Sequence, residues 1–129
     1  MGQGARGLTL DTGVLLRAER GGTQARRLVR RIVDADDLAT IPTAVLAEAW
    51  RDGRQDELVR LLEVCEIEPL DRELAERAGE LLARTGHDDP VDAIVAASAA
   101  RRGDIVLTSD ADDLQLLADN LGTIRVIAI

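Results

Sequence analysis

Five short apolar runs, separated by amphipathic stripes of helical period, constrain this chain more than any other feature. The runs are Leu8–Leu10, Leu38–Ile41, Val64–Ile67, Ile105–Leu107 and Ile124–Ile129. Most are short apolar runs rather than alternating ones, the pattern of strands buried on both faces. Strands that alternate with helices join by right-handed crossovers and build a mostly parallel sheet between helical layers. The expected fold class is α/β: a three-layer α/β/α domain with a mostly parallel central sheet of four to five strands.

The helical stripes carry their own punctuation. Ala25, Leu28, Val29 and Ile32 follow the i, i+3, i+4, i+7 rule, and Gly21 and Gly22 separate them from a shorter turn at Val14–Glu19. Pro42 suits a helix start, with Val45, Leu46 and Ala49 on the buried side. Leu58, Leu61, Leu62 and Cys65 make the next stripe. Asp71 reads as the N-cap of a helix carrying Leu74, Ala78, Leu81 and Leu82, which Gly86 stops. Pro90–Arg102 is a further helix ended by Gly103, and Leu114, Leu117 and Ala118 belong to a last one ended near Gly122.

Composition narrows the function classes. The chain has 129 residues, read as a flexible leader over 1–7 and a single domain over 8–129. With no Phe or Tyr, the packing falls to Leu, Val, Ile and Ala. All 16 basic residues are Arg, so no mechanism that needs a lysine is open. A net charge of -8 argues against a duplex-coating role, because phosphates seek positive fields. It leaves room for an acidic site bridged to phosphate by metal ions. Cys65 is the only cysteine and sits beside Val64 and near Ile67, which suggests a buried structural thiol. The leader has no apolar core, and Arg6 stands where a myristoylation signal wants Ser or Thr. No run approaches transmembrane length, so a cytoplasmic protein without a membrane partner is expected.

In parallel sheets ligands bind beyond the carboxyl ends of the strands. Asp11 follows the first run and Asp110 the fourth, in LTLDTGVLL and VLTSDADDL. Each could simply cap the next helix. Glu48, in VLAEAWR, borders the buried side of its helix and could equally be a surface residue. Asp92 is the informative one. Asp89 is the natural N-cap ahead of Pro90, which puts Asp92 at N3, where a capping box is one reading. Yet Val95, Ala96 and Ala99 share its face, and the other faces carry Val91, Ile94, Ala97 and Ala100. Such a helix should be buried. An ionised carboxylate there costs several kcal/mol, roughly, unless it is paired. Two charges ~4 Å apart repel by about 4 kcal/mol at an effective dielectric of 20, so converging acids need protons or a cation. Oxygen ligands suit Mg²⁺ or Mn²⁺, which commonly activates water against a phosphoryl group.

The segments LTLDTGVLL, VLAEAWR, DDPVDAIVAASAARRG and VLTSDADDL, in this order, resemble the PIN-domain ribonucleases. Among those the resemblance is to the VapC-type toxins of type II toxin–antitoxin systems, and it covers Leu8 to Ile129. It implies an acidic quartet of Asp11, Glu48, Asp92 and Asp110 as catalytic residues and metal ligands. Asp113 matches an additional acid, with Asp112 a weaker competitor. Thr12, Thr108 and Ser109 match positions whose hydroxyls support the site by hydrogen bonds. The implied chemistry is Mg²⁺-dependent endoribonuclease hydrolysis, with Mn²⁺ as a substitute. Water attacks phosphorus and the 3′ oxygen leaves. The implied partners are an RNA substrate, a cognate antitoxin and a second copy in a homodimer.

His87 is read as a loop or helix-end residue rather than a ligand. Arg17, Arg51, Arg54, Arg101 and Arg102 could offer positive charge to phosphates, although a solvated face accounts for most of them. RRLVRR at 26–31 would suit an acidic or apolar partner segment, or be an ordinary surface helix. Other classes fit less well. LDTG is also an aspartic-protease signature, but those enzymes are almost wholly β. A phosphate-receiving domain needs a lysine, and a haloacid-dehalogenase-type phosphohydrolase needs an acid where Gly13 stands. The non-enzyme alternative is a catalytically silent PIN-like module that only binds a partner.

Overall fold

The computed structural model of the chain describes residues 7–34, 38–52, 54–122 and 124–129. Of the expected leader only Gly7 falls among them, and the side chain of Ala25 lies outside them. In chain order the elements are β1 (Leu8–Leu10), α1 (Thr12–Arg20), α2 (Thr23–Asp34), β2 (Ala39–Pro42), α3 (Thr43–Ala49) and α4 (Asp56–Glu63). There follow β3 (Glu66–Glu68), α5 (Arg72–Thr85), α6 (Pro90–Arg102), β4 (Ile105–Thr108), α7 (Ala111–Leu121) and β5 (Arg125–Ala128).

The strands form one sheet of order β3-β2-β1-β4-β5, and every pairing is parallel. The chain leaves β1 for β2 on one side and returns to β4 on the other. The reversal of direction opens a crevice beyond the carboxyl ends of β1 and β4, the place where such sheets bind ligands. β1, β2 and β4 are largely buried, Thr9 and Thr40 included, as the central strands of a sheet covered on both faces. β3 and β5 are edge strands and expose Glu66, Arg125 and Ile127. Edge position explains why their observed bounds differ from the expected Val64–Ile67 and Ile124–Ile129: one face need not be apolar there.

One helical group is α1, α2 and α4, and the other is α5, α6 and α7, with α3 touching both α1 and α6. The core between them is aliphatic. Leu10, Leu15, Ile41, Leu58, Leu61, Leu74, Leu81, Leu114 and Leu117 are fully buried. Each such side chain contributes roughly 1.5–3 kcal/mol, which offsets the lack of aromatic residues. α6 is the central helix. Ala93 to Ala99 are buried without interruption, and their small side chains let α6 lie against β1, β2 and β4 while α5 and α7 cover it. Asp89 caps it through Val91 N–H and Asp92 N–H, Pro90 opens it, and Gly103 ends it at φ 74°. Asp71 and Gly86 bound α5 as expected, with Gly86 at φ 75°.

Four expectations need correction. Val14–Glu19 is no isolated turn but part of α1, which starts at Thr12 because Asp11 caps it. Pro42 marks the start of α3 as its extended N-cap rather than as its first helical residue, and it also ends β2, opposite Glu68. Cys65 lies outside α4, which stops at Glu63, and is half-buried between α4 and β3. Burial pushes its thiol up to about 12, so it is no nucleophile. Finally, Arg101 and Arg102 are not offered to phosphates. The Arg102 guanidinium donates to Glu68, Asp104, Thr9 Oγ1 and Ser98 Oγ, and Arg101 donates to Glu68 at 3.0 Å. Arg51 turns back onto the carbonyl of Trp50 at 2.7 Å.

Candidate active site

The acids singled out in the sequence sit around the crevice, each placed by a different element. Asp11 is the residue at which β1 becomes α1. Its N–H donates to Leu107 O at 3.0 Å, which fixes it beside β4. Its carboxylate does two jobs. Oδ1 accepts from Thr12 N–H at 2.8 Å, as a cap, and Oδ2 accepts from Thr108 Oγ1 at 2.7 Å. Asp11 is 6% exposed, and burial holds its carboxyl above the usual range, opposed by the Thr108 and Thr12 bonds. Glu48 and Asp89 add to the rise by like-charge repulsion.

Glu48 is exposed on α3 and accepts from Thr12 Oγ1 at 2.6 Å. Thr12 thus ties the Asp11 and Glu48 positions together through its N–H and its hydroxyl. Fully buried Thr108 does the same between Asp11 and Asp110: its hydroxyl donates to Asp11 and accepts from Asp110 N–H at 2.9 Å. Asp110 stands at the N-cap of α7 without using its side chain as a cap, so its exposed carboxylate is free for another role. Ser109 acts through packing: a Cβ added at Gly13 would overlap its hydroxyl oxygen. No Ser109 hydrogen bond to an acid is present among the described residues.

Asp92 sits in the first turn of α6 with its side chain 15% exposed. Its Oδ2 stands 3.0 Å from His87 Nε2, so the carboxylate engages the imidazole rather than reaching back in a capping box. Burial pushes the Asp92 carboxyl up to about 6, against the pull of the His87 bond, and Asp89 and Asp11 contribute repulsion. His87 in turn is raised, chiefly by its bond to Asp92. Asp113, from the first turn of α7, completes this corner. One donor atom each from His87, Asp92 and Asp113 lie within 4.8 Å of one another. Asp112 is exposed on the same turn but does not join the group.

The structure therefore brings the acids together in two linked sets. Asp11 and Glu48 share Thr12, while Asp92 and Asp113 share His87, and the repulsion between Asp11 and Asp92 joins the sets. Asp110 lies at the rim through Thr108. Among the described residues, the quartet of Asp11, Glu48, Asp92 and Asp110 is not gathered as closely as the His87 corner. His87 is the residue that sequence reasoning missed. Its signal was slight: the only histidine in the chain, one residue past the glycine that ends α5.

The donor chemistry fits a divalent cation. Elsewhere Glu57, Glu68, Asp71, Glu73, Glu76 and Asp104 are paired with arginine, while other acids are left to solvent. Among the described residues no arginine pairs with Asp11, Glu48, Asp92, Asp110 or Asp113. Asp11 and Asp92, raised by burial and by neighbouring carboxylates and without an arginine partner, are what a hard metal ion would relieve.

Comparison with known proteins shows the family of the fold. Residues 8–119 match the PIN domain family. A solved VapBC from Salmonella typhimurium, bound to DNA, has a chain with TM-score 0.68 and 20% identity, covering 96% of this chain and 98% of its own. VapBC2 from Rickettsia felis, bound to a promoter DNA fragment, gives 0.70 at 16% identity, covering 95% and 98%. VapC20 from Mycobacterium tuberculosis, a Sarcin-Ricin loop cleaving toxin, gives 0.64 at 20% identity, covering 92% and 98%. No curated protein matches at the sequence level. With the family match spanning most of the chain and the fold of those structures shared, this protein belongs to the PIN-domain family.

Proposed function

We propose that the chain is a metal-dependent endoribonuclease, the toxin of a toxin–antitoxin pair, acting in the cytoplasm. One observation carries this reading: five acids line the crevice at the switch point of the sheet, and none has an arginine partner among the described residues. Asp11, Glu48, Asp92 and Asp110 would hold the ion, with Asp113 beside them. Mg²⁺, or Mn²⁺ in its place, supplies positive charge against a scissile phosphate and eases the deprotonation of water. The chain's own part is positioning. Thr108 and Thr12 fix both oxygens of Asp11, and Thr12 also orients Glu48. The reaction is hydrolysis: the water oxygen bonds to phosphorus, the P–O3′ bond breaks, and the proton lost by water ends on the leaving 3′ oxygen or in solvent.

The solved relatives support the biological role: a similar structure from Klebsiella pneumoniae is a toxin–antitoxin complex, and VapC20 is described as a Sarcin-Ricin loop cleaving toxin. On this reading the partners are an RNA, a cognate antitoxin and a second copy of the chain. Among the described residues, no helix is long and apolar enough to cross a membrane.

The test uses purified, partner-free protein. RNA cleavage is expected with Mg²⁺ or Mn²⁺ and not with chelator, and either ion should raise the melting temperature by mass action on the native state. Asp11→Asn keeps an acceptor for Thr12 N–H and so keeps the cap, yet it should abolish cleavage and the metal response. Loss of both activities in the wild type would leave the silent interaction module as the better reading.

A further inference from the structure

We infer that His87 is a metal ligand of this site, and that its nitrogen donor turns the site's preference from Mg²⁺ toward Mn²⁺. The inference rests on the metal site of the proposed function and adds to it a residue outside the acidic quartet.

Geometry points first. His87 Nε2 and Asp92 Oδ2 are 3.0 Å apart, and an Asp113 oxygen completes a set within 4.8 Å. Donors on a six-coordinate ion at about 2.1 Å stand about 3 Å apart when adjacent and about 4.2 Å apart when opposite. The His87–Asp92 separation is that of adjacent donors on one ion, and Asp113, within 4.8 Å of both, needs at most a small side-chain movement to complete the set. They also come from two elements and a loop: α6, α7 and the connection after Gly86. The His87 side chain is 11% exposed, so it is seated against the site rather than swinging in solvent.

Donor chemistry points next. Mg²⁺ takes oxygen ligands and keeps its waters, whereas imidazole suits transition-series ions and strengthens their binding along the divalent order. A corner with one imidazole and two carboxylates favours Mn²⁺ over Mg²⁺. Further back, the His87 N–H donates to Thr85 Oγ1 at 3.2 Å, and Thr85 Oγ1 donates to Leu81 O at 2.8 Å. The backbone that presents the imidazole is thereby anchored to the end of α5.

Because the chain has one histidine, a single spectroscopic signature decides the matter. Mn²⁺ is added to tag-free protein, binding is read from the loss of the free-ion EPR signal, and pulsed EPR reads ¹⁴N coupling. Expected are bound Mn²⁺ with the coupling of a coordinated imidazole, and affinity at least about tenfold above that for Mg²⁺. In His87→Gln the coupling should vanish and the Mn²⁺ advantage should fall about tenfold. The glutamine amide can still donate to Asp92, so a purely positioning histidine would leave that advantage intact. Mn²⁺ bound without ¹⁴N coupling overturns the inference and leaves the proposed nuclease standing. So does Mg²⁺-dependent RNA cleavage by a protein that binds no Mn²⁺. Failure of metal binding and cleavage together overturns both.

Discussion

Asp89 and Asp92 are three residues apart and have separate duties, and single substitutions should separate them. Asp89 receives the Val91 and Asp92 N–H groups, so Asp89→Ala should cost about 1 kcal/mol in a urea titration while the site acids stay in place. Asp92→Asn leaves that cap whole and should instead remove the Mg²⁺- or Mn²⁺-induced rise in melting temperature together with RNA cleavage. Similar losses of stability and metal response in both variants would mean that the division is wrong. The pH response follows from burial. The Asp92 carboxyl is raised to about 6, so the folded state holds its proton more tightly than the unfolded chain does. The stability linked to that proton is complete below about 4, the ordinary carboxyl value, and is lost as pH rises through about 6. His87, also raised, acts in the same direction: its contribution is present below the ordinary imidazole value and lost as pH rises through its folded value. Melting curves in chelator should therefore fall more steeply between about pH 4 and pH 7 in the wild type than in Asp92→Asn. Parallel curves would show that Asp92 is not the group responsible.

The junctions between elements set the geometry of the crevice, and one of them is tight enough to test. At Gly13, in the first turn of α1, an added Cβ would overlap Ser109 Oγ and stand 2.9 Å from Ser109 Cβ. Gly13→Ala must push α1 away from the β4–α7 connection, at a cost of about 1–3 kcal/mol, and should disturb Asp11 and Thr12 with it. Ser109→Gly removes the obstructing side chain, so the double variant should recover most of the loss in chemical denaturation. Additive losses would place the strain elsewhere. The sequence made the frame of these junctions readable where pattern and chemistry agree. Short, mainly apolar runs mark β1, β2 and β4, and the caps of α5 and α6 stand at Asp71, Gly86, Asp89 and Gly103. It was less readable at edges and in loops. β3 and β5 carry polar residues on an open face, which blurs their bounds. α1 was read short because capping by Asp11, not apolar period, sets its start. The acids were legible as residues after strands and as one carboxylate inside an apolar helix. His87 was not, because its meeting with Asp92 depends on the left-handed turn at Gly86 and on no helical spacing.

Across the whole molecule, α6 separates two opposite electrostatic solutions. Its amino end meets acids that have no arginine among the described residues, and its carboxyl end ties acids to arginine. At that second end the Arg102 guanidinium reaches Glu68, Asp104, Thr9 and Ser98, and so links β3, the entry to β4, β1 and α6 itself. Asp104 is 4% exposed, while Thr9 and Ser98 are fully buried. Thr9 donates in turn to Asp104 at 2.8 Å, so the network spans the sheet beneath the helix. Removing the cation leaves the buried Asp104 with only the Thr9 hydroxyl and weakens the holding of Glu68, which keeps Arg101. Arg102→Met should therefore cost about 3 kcal/mol in a denaturant titration, although its aliphatic stem fills much the same space. Arg102→Lys should recover little, because an ammonium cannot reproduce the fork that serves four acceptors at once. Both variants, measured below their lowered melting points, should keep the Mg²⁺-induced stabilisation, since the acids of the crevice lie at the other end of α6. A loss below about 0.5 kcal/mol for Arg102→Met would mean that the network contributes little to the fold. Loss of the metal response alone, with stability unchanged, would mean instead that the two ends of α6 are coupled, and that the crevice depends on charge held at the far end of the helix.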